Sequence, residues 1–164
     1  MDAYRTFFAA STGASAGFIG LLFVALSFID KDKVDEKVLA WRLITANSSF
    51  SQLANVFFVS LAGLLPGARD FAVAGLILAL SGMIVSFRLL PPTLNRDKAG
   101  RTTPTRLGLL AVAVYIVEFI TSLRLIHDPN NTQLLGYFVL AIILLYVGAL
   151  ARAWEITGIK DQRN

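Results

Sequence analysis

Five long runs with almost no charge constrain this chain more than any other feature: Phe7–Phe28, Trp41–Leu65, Phe71–Leu90, Leu107–Ile126 and Leu134–Trp154. Crossing the hydrocarbon of a bilayer takes about 20 apolar residues in helical form. Inside hydrocarbon every backbone N–H and C=O must pair within the chain, so a run of this kind is read as a helix. Together the runs consume most of the 164 residues, and only 16% of the chain is charged, where a soluble domain carries roughly a quarter. The expectation is an all-α, polytopic membrane bundle of five transmembrane helices forming a single domain over residues 1–164. The first run is too long for a cleavable signal peptide, its leader carries Arg5 beside Asp2, and no small-x-small cleavage site follows.

Several chemistries find no footing here. The chain has no cysteine and one histidine, His127, which removes disulfides, thiolate metal sites and paired-histidine ligation within one chain. An intramembrane aspartyl protease needs two facing aspartates, and no run contains one. Gly13-Ala14-Ser15-Ala16-Gly17 spells the nucleophile-elbow string, but that elbow needs a strand, a sharp turn and a histidine in reach. In a continuous helix Ser15 stands about 4 Å from the midplane and His127 about 16 Å out, at 1.5 Å per residue. No enzymatic activity, cofactor or metal is expected. Asn130-Asn131-Thr132 fits a glycosylation sequon, which matters only in a secretory pathway that glycosylates.

Charge orients the bundle. Lys31, Lys33 and Lys37 lie in the first connection, Arg96, Lys98, Arg101 and Arg106 in the third, and Lys160 and Arg163 in the tail. With Arg42, Arg88 and Arg152 at the adjoining run ends, these are twelve of the 15 lysines and arginines, leaving Arg5, Arg69 and Arg124 on the other side. The positive-inside rule then predicts the N-terminus outside and the C-terminus in the cytoplasm. Trp41 and Trp154 fall at the inner interface and Tyr4 and Tyr137 near the outer one, as an aromatic belt requires. The net charge of +4 is spread over three inner segments, which fits orientation and anionic headgroups rather than nucleic acid. Arg88 and Arg152 read as anchors that snorkel to the headgroups.

Punctuation delimits the helices. Pro66-Gly67 is expected to end the second and force a hairpin, and Pro91-Pro92 to end the third. Thr103-Pro104 reads as a cap with proline at the first helical position. Asp128-Pro129-Asn130-Asn131 forms a turn, and Thr132 is a candidate cap for the fifth helix.

Three features inside the runs need a reason. Gly13, Gly17 and Gly20, with Ala10, make a small-residue face on the first helix, which permits close backbone approach. It packs either on another helix of the chain or on another subunit. The second helix carries a polar stripe, Asn47, Ser48, Ser51, Gln52 and Asn55, running from the inner end to mid-membrane. Such groups do not face lipid without a cost of several kcal/mol each on apolar transfer scales (~4–8 kcal/mol into cyclohexane). They serve either as interhelical hydrogen bonds or as the wall of an aqueous path. Glu118 is the lone acid within a run, and an ionisable residue at that depth is a functional-site candidate. The plainer reading is a neutral glutamic acid bonded to a neighbouring helix. Helix rise places Ser15 and Asn55 at its level.

The strings FFAASTGASAGFIGLLFVALSF, LLPG and YFVLAIILLYVGALARAWEI resemble a family of small bacterial five-helix inner-membrane proteins, some of whose members carry the label of modulators of a membrane protease. The resemblance implies a bacterial cytoplasmic membrane and assigns no functional residue. Two functions are expected of such a chain. One is a homo-oligomeric channel or pore for ions or small solutes, lined by the polar face of helix two. The other is a non-catalytic scaffold or regulatory subunit that binds other membrane proteins through helix one.

Overall fold

In the computed structural model, which describes residues 2–28, 36–97, 103–131 and 133–156, all regular structure is helical. The five helices are α1 (Asp2–Ser27), α2 (Glu36–Ala62), α3 (Ala68–Asp97), α4 (Thr103–His127) and α5 (Gln133–Ile156). Four contain stretches long and apolar enough to cross a membrane: Ala3–Ser27, Ala68–Leu89, Leu107–His127 and Gln133–Trp154. The fifth, α2, is long enough, but its amides and hydroxyls and the charges of its first turns dilute its apolarity.

Each helix runs antiparallel to the one before it. Phe8 near the start of α1 meets Gly63 at the end of α2, Phe71 at the start of α3 and, through Phe71, Phe138 at the start of α5. Those rings stand 5.4 and 4.6 Å apart between centroids, within the range at which tilted aromatic pairs attract. Helix α2 is central, packed against α1, α3 and α5, while α4 completes the bundle against α3 and α5. The outward surface is apolar, with Leu21, Phe23, Ile77, Phe87, Leu140 and Val147 all exposed. The interior instead holds Gln52, Asn55, Glu118 and Arg152. An apolar outside with polar groups set among the buried residues suits an acyl-chain solvent and would make a water-soluble protein aggregate.

Boundaries depart from expectation at two places. Helix α3 does not stop at Pro91-Pro92 but continues to Asp97. Proline removes the bonds its own nitrogen would donate, here those to Phe87 and Arg88, while later amides still reach back four residues. Helix α2 ends at Ala62, three residues before the predicted end, and Gly63, Leu64 and Leu65 close over Val59, Leu61 and Ala62 in a tightening turn. The Pro66-Gly67 hairpin follows as expected, with the Phe71 amide donating to Gly67 O at 3.1 Å. Helix α4 begins at Thr103, directly before Pro104. The proposed Thr132 cap, the first-connection Lys31 and Lys33, and Lys98, Arg101, Lys160 and Arg163 lie outside the described residues.

Candidate functional site

The polar residues of α2 do not share one environment. Gln52 and Asn55 are buried, at 3% and 6% exposure, and Thr45, Ser49 and Ser60 are buried with them. Ser48 and Ser51 are half-buried, and Asn47 is exposed. Rotation per residue explains the division. At 100° per residue Asn47 lies about 140° around the helix from Gln52, so a five-residue stripe straddles the edge of the buried arc. The residues that contact the other helices and those that look out of the bundle therefore belong to two different structures.

The inner one is centred on Glu118, which is 2% exposed on α4. Asn55 is hydrogen-bonded to its carboxyl, and Asn55 Nδ2 also donates to the backbone carbonyl of Leu78 on α3 at 3.2 Å. One amide thus ties α2 to both α3 and α4. Its donors are committed, while Asn55 Oδ1 and Glu118 Oε2 have no hydrogen-bond partner among the described residues. Gln52, one turn along the same side of α2, presents Oε1 beside Gly148 of α5, and this oxygen too has no partner among the described residues. Tyr115 lies one turn N-terminal to Glu118 on α4, within reach of the charges of Glu118 and of Arg152. Thr121 and Ser122 lie one turn C-terminal to Glu118, both buried. The Thr121 hydroxyl donates to Val117 O at 2.7 Å, and Ser122 Oγ faces Gly75 of α3.

Arg152 departs from its expected role. Instead of snorkelling it is 6% exposed, turned into the bundle where its charge acts on Tyr115. Arg88 is exposed as expected of an anchor. The difference lies in direction around the helix: Arg152 follows Leu145, Gly148 and Ala149 on the buried side of α5.

The outer structure is a groove of about 390 Å³ between α2 and α3. Asn47, Ser51 and Asn55 of α2 and Ser81 and Gly82 of α3 line it, with Phe50 and Phe58 at its rim. Asn55 belongs to both structures, so the groove leads to the residue that holds Glu118. Gly82 makes the close approach possible, because a Cβ there would overlap the Tyr115 ring.

Ser15, placed by depth beside Glu118, is buried but spends its hydroxyl locally, donating to Ser11 O at 2.8 Å and Thr12 O at 3.0 Å within α1. The nucleophile-elbow string is therefore plain helix. A polar staple that the periodicity did not single out joins three helices nearby. Ser60 Oγ of α2 donates to Ser11 Oγ at 2.8 Å, and Tyr146 OH of α5 donates to Ser11 O at 2.6 Å. Nothing in linear spacing joins these three residues, which lie on three different helices.

Gly13, Gly17 and Gly20 are exposed, and a Cβ built at any of them meets nothing within 4 Å among the described residues. Of the two packing partners considered for this face, a helix of the same chain is thus excluded within the described residues. Neither protein-family models, nor curated proteins, nor solved structures give a match to this chain.

Proposed function

We propose that the chain is a subunit of a homo-oligomeric membrane pore for ions or small solutes, with α2 as its fifth transmembrane helix and the α2–α3 groove on the conducting side. One observation carries the reading: Asn47, Ser51 and Ser81 are polar groups lining a groove on a surface that exposes many large apolar side chains, and the same groove is lined by Asn55, which is bonded to Glu118. Facing acyl chains would cost each of these groups about 1–3 kcal/mol on protein mutational scales. Water on the axis of an oligomer removes that cost, and five helices of this size leave room for a pathway between subunits rather than within one. The charge distribution supports an N-terminus outside and a C-terminus in the cytoplasm, and the family resemblance supports the bacterial cytoplasmic membrane.

The experiment is flux of small ions and solutes through liposomes holding the purified protein. Asn47→Leu is expected to cut flux about tenfold, the effect of adding about 1.4 kcal/mol to a barrier, with the protein still folded and assembled. Absence of flux in the wild type across common ions and small solutes overturns the pore.

A second reading rests on the open glycine face of α1, which fits close packing by another helix. In that reading the chain is a non-catalytic scaffold or regulatory subunit for other membrane proteins. A wild type that conducts nothing, and that loses a defined membrane partner on Gly17→Leu, would identify it.

A further inference from the structure

We propose that Glu118, Asn55 and Gln52 form a binding site for a monovalent metal cation of the sodium class, buried in the middle of the bundle. The proposal rests on the pore reading for its biological purpose, since it names the class of solute, but its test does not depend on conduction.

Three oxygens define the site. Glu118 Oε2, Asn55 Oδ1 and Gln52 Oε1 are buried acceptors without a hydrogen-bond partner among the described residues. A buried acceptor left unpaired costs about 1–3 kcal/mol; Gln52 and Asn55 lie one turn apart on α2, and Asn55 is bonded to Glu118 of α4. Two nearby donors are engaged elsewhere, while the buried Ser122 hydroxyl, one turn along α4 from Glu118, has no partner among the described residues. Asn55 Nδ2 serves Leu78 O and the Glu118 carboxyl, and the Thr121 hydroxyl serves Val117 O. Open carboxylate and amide oxygens beside a committed Asn55 amide are complementary to a hard cation, which takes such oxygens as ligands.

Charge selects the valence. The three ligands are one carboxylate and two neutral amides, so a monovalent ion balances their charge, whereas a divalent ion adds excess positive charge to that of Arg152 in the same low-dielectric interior. Arg152 stands one turn inward of Gly148, where it acts on Tyr115, and so is placed to keep cations from passing the site as well as to balance that end of the bundle. Access exists from one side. Asn55 lines the α2–α3 groove, through which water can bring the ion and complete its coordination shell.

The test is the thermal midpoint of the purified full-length protein in detergent, at fixed pH and ionic strength, as sodium chloride replaces N-methyl-D-glucamine chloride. A ligand that binds the folded state at tenfold above its dissociation constant raises the midpoint by about 4 °C for a chain of this size. Sodium is expected to give that rise in the wild type, and Glu118→Gln, which keeps shape but removes the charge, is expected to abolish it. Equilibrium binding of radioactive sodium gives a second readout, with Gln52→Met expected to weaken affinity about tenfold while Leu140→Ala, on the exposed face of α5, leaves it unchanged. The proposal is overturned by equal stabilisation from every salt, by sodium binding that survives Glu118→Gln, or by a midpoint that follows pH and ignores sodium, which would make Glu118 a proton site alone. Sodium binding by a protein that conducts nothing would uphold the site and overturn the pore. Flux without Glu118-dependent binding would do the reverse.

Discussion

Asn55 shows how much a single side chain decides in an interior without bulk water. Its amide holds α3 through Leu78 O and α4 through Glu118, and an unpaired carboxyl or carbonyl in that place has no solvent to turn to. Asn55→Leu is therefore expected to lower stability by about 1–3 kcal/mol, the cost of orphaning a buried polar group. Asn47→Leu, eight residues away at an exposed position, is expected to stay within about 0.5 kcal/mol. Unfolding of the two variants in mixed micelles checks the contrast; equal losses would mean that Asn47 is also covered. The level of Glu118 and Asn55 followed from helix rise alone, because depth depends only on counting residues. Their bond did not, and neither did the inward turn of Arg152, because rotation of a helix about its axis depends on which neighbours it packs against.

Elements differ in how closely they approach, and glycine position records it. Gly82 lets α3 lie against the Tyr115 ring of α4, while Gly17 of α1 has open space before it. Gly82→Ala is expected to destabilise the bundle by about 1–3 kcal/mol through overpacking. Gly17→Ala is expected to leave the monomer unchanged or stabilise it by up to about 1 kcal/mol, since alanine is the better helix former. Thermal unfolding of the two variants in detergent, at protein concentrations low enough to keep the chain monomeric, separates them. Spacing in the sequence singled out Gly17, on the small-residue face of α1, whereas Gly82 is the one that packs against another helix. The same limit applies to α3. Pro91-Pro92 is a sound stop signal by local chemistry, yet the helix carries on to Asp97 because the lost bonds are two and the later ones survive.

At the scale of the molecule, membrane orientation is the property most open to test. The chain has no native cysteine, so single cysteines report position without background. Labelling of intact cells with a membrane-impermeant thiol reagent is expected to reach Pro129→Cys in the fourth connection. Lys33→Cys in the first connection is expected to react only after permeabilisation. The opposite pattern would invert the topology, and labelling of both before permeabilisation would mean that α2 does not cross.

The number and order of the helices were legible in the sequence because hydrocarbon thickness and backbone hydrogen bonding act on each segment separately, while the ends of α2 and α3 were not. Charge at the connections likewise acts locally, so counting gives an expected orientation, which the labelling experiment tests. What the tertiary structure alone decided is which side of each helix turns inward. That choice split the α2 stripe into a buried part that holds Glu118 and an outer part that lines a groove. It also joined Ser11, Ser60 and Tyr146, and left the glycines of α1 uncovered. The physical reason is that lipid is as apolar as leucine: without a hydrophobic force to select the inward face, side-chain shape and interhelical hydrogen bonds set the rotation, and these exist only once the helices meet.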